Sequence, residues 1–416
     1  MGGANGEQTP ATATHGTDGQ CSIREGGDDR MGTTEILIIV LVVGARLLLP
    51  LLIPYVPVVG LLSCLILDAA DQTIFQQFPA IDLDGYQSYD KALDIYYLTV
   101  AYLSTFRNWT NVPAFRVSLF LFYYRLVGNL LFELTQERWL LFVFPNTFEY
   151  FFLFFELCRI RWDQTRMTMK VAIGSAAFIW IVIKLPQEWW IHIAELDFTD
   201  FVSDYPWTVI PMVIVGVAVI GFAWWWITHK APAADHRFRL LADPLPPELT
   251  GADLYRDSRA KERVFDRALA QKAVLIAVIV VIFAQFLAPS GNRPFQIALS
   301  VIVFVALSTM VSQWLARRGR TWRRVVIELV VMMAINFGLA AILETVENIL
   351  GLREGRVPFV ALLFFIFLVT LLIILFDRYH LVYAGRQRLR RAGAESPAVP
   401  GPAGDGSPTA GAGSAA

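Results

Sequence analysis

An uncharged apolar stretch such as Val209 to Ile227 has no place on the surface of a water-soluble protein, and this sequence repeats such stretches along most of its length. Others run from Val171 to Ile183, Ala273 to Phe286 and Val360 to Phe376. Each is long or nearly long enough to cross a hydrocarbon core of about 30 Å. Inside lipid every backbone N–H and C=O needs an internal partner, which a helix supplies from within its own segment. Composition agrees: 56% of residues are hydrophobic and 17% charged, against roughly a quarter charged in a soluble domain. The chain therefore reads as all-α, a polytopic integral membrane helical bundle of about ten transmembrane spans.

The apolar segments occupy 34–67, 91–106, 115–133, 139–158, 169–185, 207–228, 271–288, 295–315, 325–346 and 358–376. A single straight helix over the first would reach about 50 Å, and Pro50, Pro54 and Pro57 would each remove a backbone donor from it. It is expected to be either two short spans or one span plus a re-entrant piece. Residues 1–33 form a polar tail without the apolar run of a signal peptide and are expected to be disordered. Residues 34–228 make an N-terminal membrane bundle, 229–270 a basic connector and 271–378 a C-terminal membrane bundle. Residues 379–416 begin basic and end in a disordered Ala, Gly, Pro and Ser tract.

Arg and Lys placement sets the expected orientation. The 229–270 connector carries Lys230, Arg237, Arg239, Arg256, Arg259, Lys261, Arg263 and Arg267, so it is assigned to the cytoplasm together with the C-terminus. The connector from Gln187 to Pro206 has acidic residues and no Lys or Arg, and reads as external. Counting back from the connector puts the stretch between Asp68 and Asp90 outside as well. The expected location is a multi-pass cell membrane, with the Ala, Arg and Gly-rich style pointing to a bacterial inner membrane. The basic residues lack the distribution of a nucleic-acid binder. Expected partners are membrane lipids, a cytoplasmic partner at 229–270 and a second copy in a homo-oligomer. Cys21, Cys64 and Cys158 have no paired spacing and read as plain thiols.

The most informative polar stretch is Asp68-Ala-Ala-Asp71, followed by Asp82, Asp84, Gly85 and then Asp90-Lys-Ala-Leu-Asp94. On a helix, residues three or four apart share a face. Asp68 with Asp71, and Asp90 with Asp94, are therefore two pairs that neighbouring helices could aim at one point. Such a cluster repels itself unless cations neutralise it, and hard ions such as Mg²⁺, Mn²⁺ or Ca²⁺ suit carboxylate oxygens. The competing reading is a solvated acidic surface at the ends of two spans, and for Asp82 and Asp84 that reading is preferred.

Asp-x-x-Asp, then 18 residues, then Asp-x-x-x-Asp resembles the signature of the CDP-alcohol phosphatidyltransferases, and Arg46-Leu-Leu-Leu-Pro50 resembles the family's first span. The resemblance is limited to residues 46–94. Gln72, Phe75, Gln76 and Tyr86 depart from the family pattern. It implies that Asp68, Asp71, Asp90 and Asp94 hold Mg²⁺ or another divalent cation, and that Asp94 acts as a catalytic base. The implied chemistry is phosphotransferase-like, on a lipid or phosphate-bearing substrate. Metal ions would stabilise charge on the transferring group while a carboxylate takes the proton.

Arg46, Arg107, Arg116 and Arg125 are candidate binders of an anionic substrate group. Arg125, Asn129 and Glu133 share one helix face, as do Asn336, Glu344 and Glu347, and Glu149, Glu156 and Arg159 form another stripe. Interhelical pairing is the preferred reading of these stripes, with a substrate or ion path as the minority one. The sequence thus leaves three functions open: a divalent-cation-binding, phosphotransferase-like enzyme; a transporter or channel with an acidic cation vestibule; and a noncatalytic membrane scaffold.

Overall fold

The computed structural model describes residues 33–76, 83–194, 201–202, 204–245, 266–287, 294–318, 325–349 and 359–395. The polar tail, Asp82, residues 246–265 of the basic connector and the C-terminal Ala and Gly tract lie outside the described residues. Helix α1 (Thr33–Leu48) gives way to a 3-10 turn (Leu49–Leu52) at Pro50, and α2 (Pro57–Gln76) begins on a proline, where a helix needs no N–H. The ambiguous first segment is thus two helices that pack against each other. Their junction is close: the amide of Gly60 donates to Val56 O at 2.8 Å, and the Gly60 Cα faces the backbone of Ile53.

Helix α3 (Leu83–Asn108) and α4 (Val112–Thr135) follow, joined by a short link in which the Asn111 side chain caps α4 by accepting from the Ala114 amide. The apolar segment 139–158 is divided at Pro145 into α5 (Trp139–Val143) and α6 (Thr147–Arg161). Helix α7 (Met169–Phe178) widens into π-helical turns at Ile179–Lys184 and Trp189–Ile193, with α8 (Leu185–Glu188) between them. Then come α9 (Val209–His229), α10 (Arg267–Leu287), α11 (Pro294–Arg317), α12 (Val325–Ile349) and α13 (Phe359–Glu395). Among the described residues none lies in a strand, and eight helical stretches are long and apolar enough to cross a membrane. Helices α2 and α3 are of similar length, at 20 and 26 residues, but α3 is set apart by its charges.

Helix α3 is the centre of the bundle. From Ala92 to Phe106 all its side chains but Asp94 are buried, which is the mark of a helix surrounded by others. It packs against α1, α2, α4, α10 and α13, so the two halves of the chain share one core. Its Thr99, Ser104 and Thr105 hydroxyls donate to carbonyls of their own helix, at 2.6, 2.7 and 2.7 Å, and so need no outside partner. The Tyr102 ring stacks on Phe122 with centroids 4.2 Å apart, and Phe106 meets Phe115, Phe376 and Tyr383. Each such aromatic pair contributes about 1 kcal/mol beyond area burial.

The last apolar segment was expected to stop at Phe376, yet α13 runs on to Glu395, about 55 Å in all. Its extension has partners: Tyr379 is buried, and Tyr383 stacks on Phe115 at 4.8 Å. Farther along, Arg390 donates to the carbonyl of Thr110. At the same end of the bundle, residues 235–242 fold back. Ala242 N donates to Tyr55 O at 2.8 Å, Asp235 N to Arg161 O at 3.1 Å and Arg239 N to Ile160 O at 3.3 Å. This end gathers Arg107, Arg161, Arg166, Arg239, Arg386 and Arg390, and is called the basic end below.

Buried polar residues of α10 to α13 pair between helices. Lys272 meets Asp377 at 2.7 Å, Arg378 meets Glu328 at 2.6 Å, and Asn336 Nδ2 donates to Thr370 at 2.9 Å. These are the interhelical ties expected of polar groups in lipid. Helix α9, by contrast, leaves Ile210, Val213, Val217 and Trp224 exposed, a surface suited to acyl chains.

Helix α4 approaches α5 at Gly128, where an added Cβ would fall 2.1 Å from Phe144 Cβ. Gly128→Ala is expected to lower unfolding stability by about 1–3 kcal/mol through overpacking. Gly174→Ala, with nothing within 4 Å of the new atom, should be neutral or mildly stabilising. Thermal unfolding of the two variants in one detergent checks the contrast, and equal effects would contradict the close approach.

Candidate functional site

The two aspartate pairs do turn toward one point, and a guanidinium already occupies it. Arg46, in the last turn of α1, points between α2 and α3, where its Nη1 donates to Asp71 and its Nη2 to Asp68 and, at 2.6 Å, to Asp94. The helical spacing of three puts Asp68 and Asp71 on one face of α2, and Asp94 faces them from α3. A cation at the C-terminal turn of α1 also suits the negative end of that helix's dipole. The Tyr96 hydroxyl fixes the junction by donating to Leu47 O at 3.0 Å.

Burial is graded across the cluster. The Arg46 and Asp71 side chains are 4% and 3% exposed, while Asp68 and Asp94 are 32% and 39% exposed. The guanidinium is thus sealed on one side and the two outer carboxylates look outward. Among the described side chains, three carboxylates meet at this one guanidinium. Asp90 lies one turn before Asp94 on α3, but its side chain, like that of Asp84, is outside the described residues. From Asp94 to Asn108 along α3 is about 20 Å, so the cluster sits deep in the bundle, well away from the basic end.

As arranged, these carboxylates engage a guanidinium. Among the described residues no group of three His, Cys, Asp or Glu is set out to hold a metal. A divalent ion at this place would have to take over oxygens that Arg46 now engages. Of the four arginines considered as binders of an anionic group, only Arg46 joins the aspartates. Arg107 sits at the far end of α3, donating to Pro54 O and Asn108 Oδ1, both at 2.6 Å. Arg116 is exposed on α4, and Arg125 donates to Phe144 O at 2.9 Å.

Beside the cluster lies a second polar group that the sequence only partly signalled. Glu149 is buried on α6, receives a hydrogen bond from Asn146 and lies in the field of Lys184, Asp68 and Arg125. Its Oε1 has no hydrogen-bond partner among the described residues, nor do Asn146 Oδ1 and Arg125 Nε. Lys184 is buried in the π-helical turn with its ammonium 3.9 Å from the Tyr150 ring centroid, and Glu188 accepts from the Asn146 amide at 3.4 Å. A cavity of about 10 Å³ bordered by Arg125, Asn129 and Asn146 has room for about one water. The lone Lys184 within an otherwise apolar span was the available sequence signal for this group.

Other singled-out residues are structural. Glu156 accepts from Trp109 Nε1 and from Arg159 Nε, both at 2.7 Å, which accounts for the stripe on α6. Cys64 and Cys158 are free thiols.

At the basic end the connector is held by aspartates. Asp235 accepts from the Asp163 amide at 2.8 Å and from Arg166, and both contacts hold its carboxyl below the usual 3.8. The Thr165 side chain and amide do the same for Asp163. Burial pushes the Asp243 carboxyl up, but Arg159, Arg239 and Gln164 outweigh it and the net shift is downward. Groups with folded values below their unfolded ones stabilise docking fully above about pH 4, and that contribution drains away as pH falls through the folded values. A spin-label pair at Lys170 and Ala234 should therefore give a narrow distance distribution at neutral pH that broadens as the pH is taken down through the lowered carboxylate values. A distribution that stays narrow throughout would contradict the carboxylate clamp.

Comparison with protein-family models, with curated proteins and with solved structures finds no match to this chain.

Proposed function

We propose that the protein is a cation-binding, multi-pass membrane protein of transporter or channel type, whose cation site is the carboxylate cluster around Arg46. The observation that carries this reading is the gathering of three carboxylates, Asp68, Asp71 and Asp94, at one point, with Asp68 and Asp94 partly exposed. Such a gathering of carboxylates attracts cations and disfavours a phosphate-bearing visitor. Ionisable groups at membrane depth are costly and are commonly kept for ion paths. The neighbouring Glu149, with one buried oxygen unpartnered, and Lys184 extend the charged groups into the bundle.

The basic end is taken as cytoplasmic on the positive-inside pattern, which turns the acidic cluster toward the other side. The unburied face of α9 suits lipid or a second copy of the chain. The 229–270 connector remains the place for a cytoplasmic partner.

A phosphotransferase-like enzyme is the second reading. What favours it is that the carboxylates of α2 and α3 meet as the resemblance to the CDP-alcohol phosphatidyltransferases implies, Asp94 among them. In that reading Asp94 is the base and the divalent ion is Mg²⁺ or a similar hard cation, but Arg46 must first vacate the cluster.

The test compares the wild type with Arg46→Gln and Arg46→Gln/Asp94→Asn in detergent, with a chelator and with added Mg²⁺, Mn²⁺ or Ca²⁺. Removing Arg46 leaves carboxylates that repel one another, so Arg46→Gln should melt lower in chelator and recover with a divalent cation. The double variant should recover less. The same proteins in liposomes should carry cation flux that falls with Asp94→Asn. A melting temperature of Arg46→Gln indifferent to every cation, with flux unaltered by Asp94→Asn, would remove the cation reading.

A further inference from the structure

The basic end gathers positive charge among its described residues and lies apart from the aspartate cluster. Arg386, on the extension of α13, buries Nε and Nη1, and neither has a hydrogen-bond partner among the described residues. The positive charges that bear on it are those of Arg107 at the end of α3 and Arg390 one turn farther along α13. Both of these are already anchored, Arg107 on Pro54 O and Asn108 and Arg390 on Thr110 O. The Arg107 guanidinium also lies 5.0 Å from the Tyr55 ring centroid, which holds it in place.

The described carboxylate acting on Arg386 is that of Asp243, and its oxygens are shared among Arg239 at 2.9 Å, Gln164 at 3.0 Å and Arg159 at 3.4 Å. It cannot also neutralise three more guanidinium groups. Two buried donors with no acceptor among the described residues, beside two further cations already anchored, are an arrangement that suits an anion. Guanidinium donors suit the oxygens of a phosphate group, which can accept in pairs. The site lies near the end of the span-length stretch Leu362–Arg390.

We propose that Arg386, with Arg107 and Arg390, forms a binding site for a phosphate-type oxyanion at the basic end of the bundle. A phospholipid headgroup and a free phosphate group share this chemistry, and the two sources separate by experiment. The full-length protein in dodecyl maltoside is titrated with inorganic phosphate, against chloride at equal ionic strength, and separately with phosphatidic acid added to the micelles. Thermal stabilisation is the readout. At least one probe should stabilise the wild type, and Arg386→Gln should weaken its apparent affinity by about tenfold or more. Stabilisation by phosphatidic acid alone identifies a headgroup, and stabilisation by inorganic phosphate identifies a site open to soluble phosphates.

Should Arg386→Gln fail to fold, Arg386→Lys keeps the charge but loses the paired donors, and Arg390→Gln removes a neighbour. Both should show the same weakening. If neither probe stabilises the wild type, or if the response of the variants matches that of the wild type, the site does not exist.

Discussion

The contact on which the N-terminal part of the bundle depends is the Arg46 guanidinium engaging Asp68, Asp71 and Asp94. Arg46 and Asp71 are buried away from solvent, so their charges must find complements in the protein. One planar group with five donors can serve three carboxylates at once, which an ammonium could not do as well. The cluster fastens α1 and α2 to α3, and α3 is the helix around which α4, α10 and α13 assemble. A purely apolar join between α1, α2 and α3 would gain little, because lipid tails are as apolar as the side chains that would replace them.

The same logic runs through the rest of the molecule. Glu156 with Arg159 and Trp109, Lys272 with Asp377, and Glu328 with Arg378 are each closed within the bundle. Two places differ. At the aspartate cluster three described carboxylates meet one guanidinium and two of them are partly exposed, while at the basic end Arg386 Nε and Nη1 have no acceptor among the described residues. The two are about 20 Å or more apart along α3 and of opposite sign, so they ask for different ligands.

Much of the architecture was legible in the sequence because lipid constrains a chain so strongly. Uncharged runs such as Val209 to Ile227 marked helices directly, and three prolines foretold the division of the first segment. The pairing of Asp68 with Asp71 on one face followed from helical spacing alone. What spacing could not show was that Arg46, 22 residues before Asp68, lies between them, since that depends on how α1 folds back over the Pro50 to Pro57 turn. The run of α13 past Phe376 was hidden because Tyr383 looks like an interfacial residue until Phe106 and Phe115 are found opposite it. Lys184 was visible as a lone charge in an apolar span, but its link to Glu149 crosses from one helix to another and leaves no mark in either segment.

The most direct measure of the central contact is a double-mutant cycle on Arg46 and Asp71, read as unfolding free energy in detergent. Arg46→Gln takes the guanidinium away from the buried Asp71 carboxylate and is expected to cost about 3–5 kcal/mol. Asp71→Asn should cost less, because Asp68 and Asp94 still face the guanidinium. The combined variant is expected to lose clearly less than the two single losses together, with a coupling of about 1 kcal/mol or more. Losses that simply add, to within about 0.5 kcal/mol, would mean that the guanidinium does not hold these helices together.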